Sequence, residues 1–241
     1  MRPLRLAGRT RTPSRATTAS GLGLVELLVA LTIGLVLLTG VLSIFSTSLQ
    51  SNRFATQNSR LNQELNGAME LMVRDIRRAG YWGTAENGIG NSGAYAANPF
   101  ITNVISADAD GGINTSTTGC ILFRYDRNDN GTLEDSERVG YRLSGNAVQM
   151  LTAATSGTHT CTGGTWESIT DTGLSSVTAL TFAKTHVSTS PSSGVVCTRD
   201  ITITLTGRLA SDTTVTQTLT QIVRVRADWY GSSSSCPANT P

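Results

Sequence analysis

An apolar segment near the N-terminus predicts a membrane-spanning helix. The nineteen consecutive positions of 27–45 carry no charge. At about 1.5 Å of rise per residue, a helix of this length crosses the hydrocarbon core of a bilayer. The segment is longer than the core of an ordinary secretory signal, and helical sequence continues past it without a small-x-small cleavage site. Five arginines and no acidic residue occupy the first twenty positions, which predicts a cytoplasmic N-terminus and an external C-terminal part.

After the apolar segment the pattern becomes that of an amphipathic helix. Apolar residues at steps of three, four and seven share one face: Phe54, Leu61, Leu65, Ala68, Met72 and Ile76. The two segments predict one continuous helix over 22–79, with a membrane half over 22–46 and a stalk over 47–79. Arginines in its last turn and Gly80 after it are typical of a helix C-terminus. The apolar stripe predicts packing on the chain's own sheet, and a coiled-coil seam is the alternative.

The region over 80–241 has the pattern of strands and loops. In several runs apolar residues alternate with threonines, and Ser144-Gly145-Asn146 indicates a hairpin between two of them. The predicted strands lie at 100–106, 120–125, 138–143, 147–152, 177–185, 200–209 and 213–226. Imperfect alternation in the last strand predicts a bulge against its neighbour. One long helix followed by an antiparallel β-sheet head, without βαβ alternation, predicts an α+β fold and disfavours doubly wound nucleotide-binding folds.

Charge narrows the expected class of partner. Nineteen basic and seventeen acidic residues give the chain a net charge of +2. Without the first 21 residues, fourteen basic and seventeen acidic residues would remain, and the net charge would be −3. Such a protein lacks the broad basic surface on which nucleic-acid binding depends, so no direct nucleic-acid partner is expected.

Four cysteines lie beyond the apolar segment, at Cys120, Cys161, Cys197 and Cys236. None stands in a C-x-x-C pair, so their spacing does not indicate a zinc ribbon. Outside the cytoplasm an even number predicts two disulfides, for which three pairings are possible. We favour Cys120 with Cys161 and Cys197 with Cys236, because each pair joins neighbours along the chain.

The segment over 126–137, DRNDNGTLEDSE, matches the calcium-loop pattern D-x-[DN]-x-[DN]-G-x5-E. In such a loop, oxygens from positions 1, 3, 5, 7, 9 and 12 converge on the ion, and glycine at position 6 permits the sharp turn. Those positions are occupied by Asp126, Asn128, Asn130, Thr132, Glu134 and Glu137. Strands replace the flanking helices of an EF-hand, so the pattern predicts a Ca²⁺ loop of modest affinity between strands. The alternative is a solvated turn without a metal.

Candidate catalytic chemistry is sparse. The two histidines, His159 and His186, stand in loop-like segments rich in threonine and serine. The sequence contains no G-x-S-x-G, G-x-x-x-x-G-K or H-E-x-x-H motif. Serines are abundant as nominal nucleophiles, but none has a base at a recognisable spacing. The sequence therefore predicts that the protein is not an enzyme.

A lone carboxylate, Glu26, stands at the membrane-entering edge of the apolar segment. An unpaired carboxylate costs about 3 kcal/mol at the centre of a bilayer and less near the interface. Such a residue is a functional candidate by default. The alternative is an acid at a helix end whose side chain reaches the interface.

The residues around Glu26 resemble a known processing signal. The stretch over 21–28, GLGLVELL, resembles that of the type IV pilin and pseudopilin family, in which a basic leader ends in glycine and glutamate is the fifth mature residue. The resemblance implies a leader over 1–21, cleavage after Gly21 by a prepilin peptidase, and N-methylation of Leu22. Leu22 and Gly23 stand where the family usually has phenylalanine and often threonine. Glu26 would then act in assembly, because it can neutralise the α-amine of a neighbouring subunit.

The stretch over 72–83, MVRDIRRAGYWG, resembles the helix exit of PilW-type minor pilins. The resemblance implies a pilin fold and a minor pilin that primes a type IV pilus or sits near its tip, in support of motility and adhesion. It implies as partners the prepilin peptidase, other minor pilins, the major pilin, the inner-membrane assembly platform and a tip adhesin. The protein would cross the inner membrane once, with its head in the periplasm, before it reaches the cell surface in the pilus.

Two alternatives remain open at this point. A J-type pseudopilin of type II secretion shares every feature described above. A membrane-anchored, calcium-dependent surface binding protein would instead keep an uncleaved signal anchor, and its N-terminus would be Met1.

Overall fold

The computed structural model describes residues 23–88, 98–102, 113–116, 119–154, 159–189 and 195–231. The chain divides into two compact units between Asn52 and Arg53, and one helix, α1 (Leu24–Arg77), runs through the division. The predicted cleavage site between Gly21 and Leu22 lies outside the described residues, so cleavage stays a prediction.

The first unit contains the apolar half of α1. Every described residue from 23 to 52 is exposed, including the large apolar side chains of the segment. By length and composition alone, α1 is able to cross a membrane. A continuous apolar surface of this length is unfavourable in water. The first unit is therefore compatible with a single-pass membrane anchor.

The second unit contains the rest of α1, a helical turn α2 (Pro99–Thr102), and 3₁₀ turns at Ala85–Gly88 and Asp135–Glu137. Its described strands are β1 (Asn114–Ser116), β2 (Cys120–Arg124), β3 (Arg138–Ser144), β4 (Ala147–Ala153), β5 (Thr165–Ser168), β6 (Ser175–Thr189), β7 (Val195–Leu209), β8 (Thr216–Arg224) and β9 (Trp229–Gly231).

The strands form two antiparallel sheets rather than one. The first sheet has the order β1-β2-β3-β4-β5, and the second has the order β6-β7-β8, with β9 also paired to β7. The predicted hairpin is confirmed, because β3 and β4 pair Leu143 with Val148 and Ser144 with Ala147. Gly145 and Asn146 at its tip have φ angles of 59° and 64°, as a two-residue type I′ turn requires.

The apolar stripe of α1 packs on the chain's own sheets, as predicted. Leu61, Leu65, Ala68, Met72 and Ile76 are all buried in one core with apolar side chains from both sheets. Phe54, the first member of the predicted stripe, remains about half exposed. The α+β pilin fold is thereby confirmed: a long helix that begins apolar and exposed ends packed on an antiparallel β head.

The strand predicted over 100–106 is wrong where the structure describes it, because Pro99–Thr102 is a helical turn. Asn98 supplies the local reason, since its side-chain Oδ1 accepts a hydrogen bond from the backbone N–H of Phe100 at 2.9 Å. A capping asparagine followed by proline at the first helical position is a helix-start signal.

The bulge predicted between the last two long strands is also wrong. β7 and β8 pair without interruption from Asp200 with Arg224 to Arg208 with Thr216. The register shift lies instead between β6 and β7, next to Val177. Strand β8 is an edge of its sheet among the described strands. An edge strand does not need a fully apolar face, so its irregular polar pattern requires no bulge.

Candidate functional site

Glu26 lies in the first turn of α1, which begins at Leu24. A negative side chain is favourable there, because the positive end of the helix dipole lies at the N-terminus. The side chain is exposed, and none of the ion pairs between described residues includes it. Its carboxylate therefore faces outward from the chain and is accessible to a charge on another molecule.

At the other end of α1, residues 78–84, which we call the helix exit, run beside the end of β2. Gly80 has a φ angle of +77°, and a Cβ there would lie 3.1 Å from the Cβ of Ala227. The N–H of Gly80 donates to the carbonyl of Arg124 at 2.7 Å, and the N–H of Asp126 donates to the carbonyl of Tyr81 at 2.9 Å. These bonds hold the segment that follows α1 against Asp126, the first residue of the predicted calcium loop.

Asp126 joins this helix exit to the 126–137 loop. Its side chain is fully buried, and its Oδ2 accepts hydrogen bonds from the N–H of Gly83 at 3.0 Å and of Gly131 at 2.9 Å. Gly131 has a φ angle of +73°, and a Cβ there would collide with the side chain of Thr84. The sequence pattern did not predict the contact with Gly83, because 43 residues separate it from Asp126.

Glu137 closes the loop at its other end. Its side chain is also fully buried. Its Oε1 accepts from the N–H of Arg127 at 2.8 Å, and its Oε2 accepts from the N–H of Glu134 at 3.0 Å. The carboxylate at position 12 thus binds the amide next to position 1, so the two ends of the loop meet.

Between these ends, the side chains of positions 3, 5 and 9 come together. The Oδ1 atoms of Asn128 and Asn130 accept from the N–H groups of Asn130 at 3.2 Å and Thr132 at 2.8 Å. The amide groups of Asn128 and Asn130 also donate to the carboxylate of Glu134, at 3.4 Å and 3.0 Å. Asp129, between the two asparagines, has a φ angle of 60°. The tight turn therefore gathers three potential ligand side chains.

The structure thus brings all six predicted ligand residues into one closed loop. Two carboxylates in it, those of Asp126 and Glu137, are buried, so the loop is not simply a solvated acidic turn. Over the part of the chain that the structure describes, no three His, Cys, Asp or Glu side chains group as a metal site. A cation in this loop would depend on amide and carbonyl oxygens as well as carboxylates, and such hard oxygen ligands suit Ca²⁺. Calcium binding itself stays a prediction.

Tyr81 adds a polar contact from the helix exit. Its hydroxyl hydrogen-bonds to the side chain of Asp129, and this bond raises the pKa of the tyrosine above its ordinary value. The negative charges of Asp129 and Asp126 act in the same direction. The exit segment and the loop are therefore linked by side chains as well as by backbone.

A disulfide crosses the first sheet. Cys120 in β2 bonds to Cys161 before β5, which is one of the two pairings that the sequence favours. A bridge that closes a loop of 41 residues stabilises the fold by about 4 kcal/mol in the chain-entropy description. Cys197 is also disulfide-bonded. Cys236 lies outside the described residues, so the second pairing stays a prediction.

One of the two histidines lies in a loop, as the sequence predicts, and the other does not. His186 lies in β6, and His159 is buried with its Nε2 at 3.0 Å from the carbonyl oxygen of Val139. Burial first, and then the charge of Arg124, lower the pKa of His159 to about 3. A base this weak is poorly matched to general-base chemistry near neutral pH.

Comparison with known proteins bears on the second unit. A family model described as PpdB, prepilin peptidase-dependent protein B, matches residues 54–225. No curated protein and no solved structure matches the chain. The match covers the stalk half of α1 and the strands as far as β8. It begins after the apolar segment, so the signal over 21–28 is a separate line of argument.

Proposed function

The chain belongs to the prepilin peptidase-dependent protein B family, a pilin-related family, and on that premise we propose that it is a PilW-like minor pilin of a type IV pilus. Prepilin peptidase removes residues 1–21, and helix α1 of the mature chain anchors the subunit in the inner membrane. The head lies in the periplasm before assembly. The subunit primes the pilus or sits near its tip, with other minor pilins, the major pilin, the assembly platform and a tip adhesin as partners.

One observation carries the proposal. The family-matched head and stalk continue without a break into an apolar helix half that is exposed along its whole described length and begins with Glu26. A soluble domain has no use for such a surface, whereas a filament core or a bilayer covers it.

Glu26 explains how the exposed half selects its neighbours. Cleavage after Gly21 would create a cationic α-amine at Leu22, next to lipid. An isolated amine and an isolated carboxylate are each costly in that environment, and pairing them between adjacent helices reduces the cost. The pairing also fixes the axial stagger between subunits, so Glu26 acts in assembly and not in catalysis.

The N-terminus of the mature protein tests the processing step. Mass spectrometry of the membrane-bound protein should show a chain that starts at N-methylated Leu22 in cells with prepilin peptidase, and the unprocessed chain in cells without it. A mature protein that starts at Met1 in both strains contradicts the proposal and supports an uncleaved signal anchor.

The assembly step is tested by Glu26→Ala. We expect the variant to be made and inserted in the membrane, but its amount in sheared pili to fall at least about tenfold, the effect of losing about 1.4 kcal/mol of pairing free energy. Glu70→Ala is the matched control, because Glu70 is an exposed carboxylate on the same helix outside the apolar half. Equal incorporation of both variants contradicts the role of Glu26.

Recovery in sheared pili, together with the deletion phenotype, separates a type IV pilus subunit from a pseudopilin of type II secretion. A minor pilin should be recovered in sheared surface pili, and its deletion should reduce piliation and twitching. A J-type pseudopilin should be missing from surface pili, and its deletion should instead block secretion of folded proteins. Deletion phenotypes in both assays therefore distinguish these functions.

A further inference from the structure

We propose that the 126–137 loop binds Ca²⁺ and that the bound ion fixes the exit of helix α1 against the head. The inference concerns the second unit alone and does not depend on the role of the protein in a pilus. It rests on buried charge, on an unsatisfied carboxylate oxygen and on the contacts between the loop and residues 81–84.

The loop buries negative charge without a matching cation. Asp126 and Glu137 are both fully buried, and neither takes part in an ion pair between described residues. The segment over 126–137 contains five acidic residues and one basic residue, Arg127. A buried carboxylate costs several kcal/mol unless hydrogen bonds and an opposite charge compensate it. Backbone amides supply the hydrogen bonds here, but no ion pair between described residues supplies a compensating charge.

Three arginines beside the loop or over Tyr125 contact other groups. Arg127 lies 5.6 Å and Arg78 lies 4.7 Å from the ring centroid of Tyr125, so both guanidinium groups sit over an aromatic face. Arg138 pairs instead with the exposed Asp135 at 3.1 Å. These three guanidinium groups therefore leave the charge of Asp126 and Glu137 to another cation.

One carboxylate oxygen marks where that cation would bind. Oδ1 of Asp126 is buried and has no hydrogen-bond partner in the part of the chain that the structure describes. The other oxygen of the same carboxylate bonds to the N–H of Gly131 across the loop, so the group is turned into the loop. A buried acceptor without a partner is costly, and coordination to a metal ion satisfies it.

The remaining ligand positions offer hard oxygens with free lone pairs. Each oxygen of Glu137 accepts one backbone N–H and keeps capacity for a second interaction. Asn128 and Asn130 contribute amide oxygens, Thr132 its carbonyl, and Glu134 the acid at position 9. Six oxygen ligand positions, one of them able to bind through two oxygens, suit Ca²⁺ better than the smaller Mg²⁺, which demands near-ideal octahedral geometry. Three of the six ligands are uncharged, which places the Kd at about 10⁻⁴–10⁻³ M, the range of extracellular modules.

The same groups connect the ion to the helix exit. Asp126 accepts the N–H of Gly83, and its own N–H donates to the carbonyl of Tyr81. Thr84 packs against Gly131, and Tyr81 bonds to Asp129. An ion that holds the carboxylate of Asp126 therefore also restrains residues 81–84, which follow the end of α1.

Calcium titration of the full-length protein in detergent tests the site. After treatment with a chelator, calcium chloride at ten times the measured Kd should raise the Tm by roughly 3–6 °C, as mass action predicts for a domain of this size. Magnesium chloride at the same concentration should raise it less. Absence of both binding heat and a Tm shift would overturn the proposal.

Variants separate ligation from a general loss of loop charge. Asp126→Asn and Glu137→Gln should abolish the calcium-dependent shift. Asp135→Asn is the matched control, because it removes the same charge from position 10 of the same loop, where no ligand is expected. Because Asp126 also accepts hydrogen bonds from two backbone amides, its substitution can disturb the fold itself. Asn128→Ala provides a milder test: the variant should stay folded and bind calcium about tenfold more weakly. If Asp135→Asn loses the calcium-dependent Tm shift while Asp126→Asn and Glu137→Gln keep it, the ligand set is wrong.

Hydrogen exchange tests the coupling to the helix. At ten times the Kd, calcium should slow exchange of the Gly83 amide about tenfold, because opening of this contact then requires release of the ion. Asn146, at the tip of the β3–β4 hairpin, gives a reference amide whose exchange should not change. Calcium binding with unaltered exchange over 81–84 would overturn the coupling.

Discussion

The two units of the chain depart from the usual placement of apolar and polar residues in different ways. In the first unit, leucines, valines and isoleucines of α1 are exposed along the whole apolar segment. In the second, charged and polar side chains are buried, among them Asp75, Asp126, Glu137 and His159. The same helix runs through both units, so secondary structure does not account for the difference.

The contrast shows whether each unit is stabilised by other molecules or by groups within its own fold. Exposed apolar side chains are stable only when lipid or other helices cover them, so the first unit depends on molecules outside the chain. Buried polar groups are stable only when partners within the fold satisfy them, so the second unit builds its own environment. Substitutions that look alike should therefore have different effects in the two units.

The largest expected difference concerns two leucines of α1. Leu65 is fully buried against Gly207 of β7, whereas Leu37 is mostly exposed in the apolar segment. Leu65→Ala leaves a cavity and should lower the free energy of unfolding of the head by about 3 kcal/mol. Leu37→Ala should leave it unchanged. Chemical denaturation of the full chain in detergent, followed by near-UV circular dichroism, measures both.

These two variants also have opposite expected effects on association. Leu37→Ala should weaken incorporation into the filament or membrane while the head stays stable. Leu65→Ala should incorporate normally at temperatures where its head remains folded. Equal destabilisation of the head by both substitutions would remove the distinction between the units.

A smaller effect is expected from the hydrogen bond that secures a buried charge on α1. The hydroxyl of Tyr141 donates to Oδ2 of Asp75 at 2.7 Å, and burial together with this carboxylate raises the pKa of the tyrosine. Tyr141→Phe should lower the free energy of unfolding by about 2 kcal/mol, since a buried carboxylate loses its donor.

Tyr125→Phe is the control for the loss of a tyrosine hydroxyl. Among the described residues, the hydroxyl of Tyr125 accepts one long hydrogen bond from the guanidinium of Arg127, at 3.4 Å. Its removal should cost less than half as much in the same denaturation experiment. If Tyr125→Phe lost as much stability as Tyr141→Phe or more, the loss in Tyr141→Phe would not be specific to the hydrogen bond with Asp75.

Signals that lie close together in sequence predicted the fold best. The end of α1 before Gly80 and the Gly145-Asn146 hairpin each depend on a few adjacent residues, and both are confirmed. The division of the strands into two sheets was not predicted. Strands β1 and β5 have three and four residues, too few to show an alternation, and sheet membership depends on contacts between distant segments.

The loop shows the same limit. Its spacing predicted which residues gather, because the turns at Asn128 and Asn130 bind amides only two residues ahead. It did not predict that Asp126 is buried, because the covering residues come from the helix exit. Glu26 could be recognised from its isolation in an apolar segment, but none of the ion pairs between described residues includes it.

The smallest expected effect depends on pH and on the buried His159. Its pKa is about 3 in the folded protein, below the ordinary value of about 6.5 in the unfolded chain. Between these values the unfolded state binds a proton that the folded state does not, so stability falls as pH decreases. At pH 5.5 the head should be about 1.4 kcal/mol less stable through this group than above pH 7.5.

His159→Gln isolates this contribution from that of the carboxylates, which titrate in both proteins. Glutamine can still donate to the carbonyl of Val139 but has no charge to gain, so the variant should lose less stability between pH 7.5 and 5.5 than the wild type. If His159→Gln keeps the wild-type pH dependence, the histidine is not held neutral by burial.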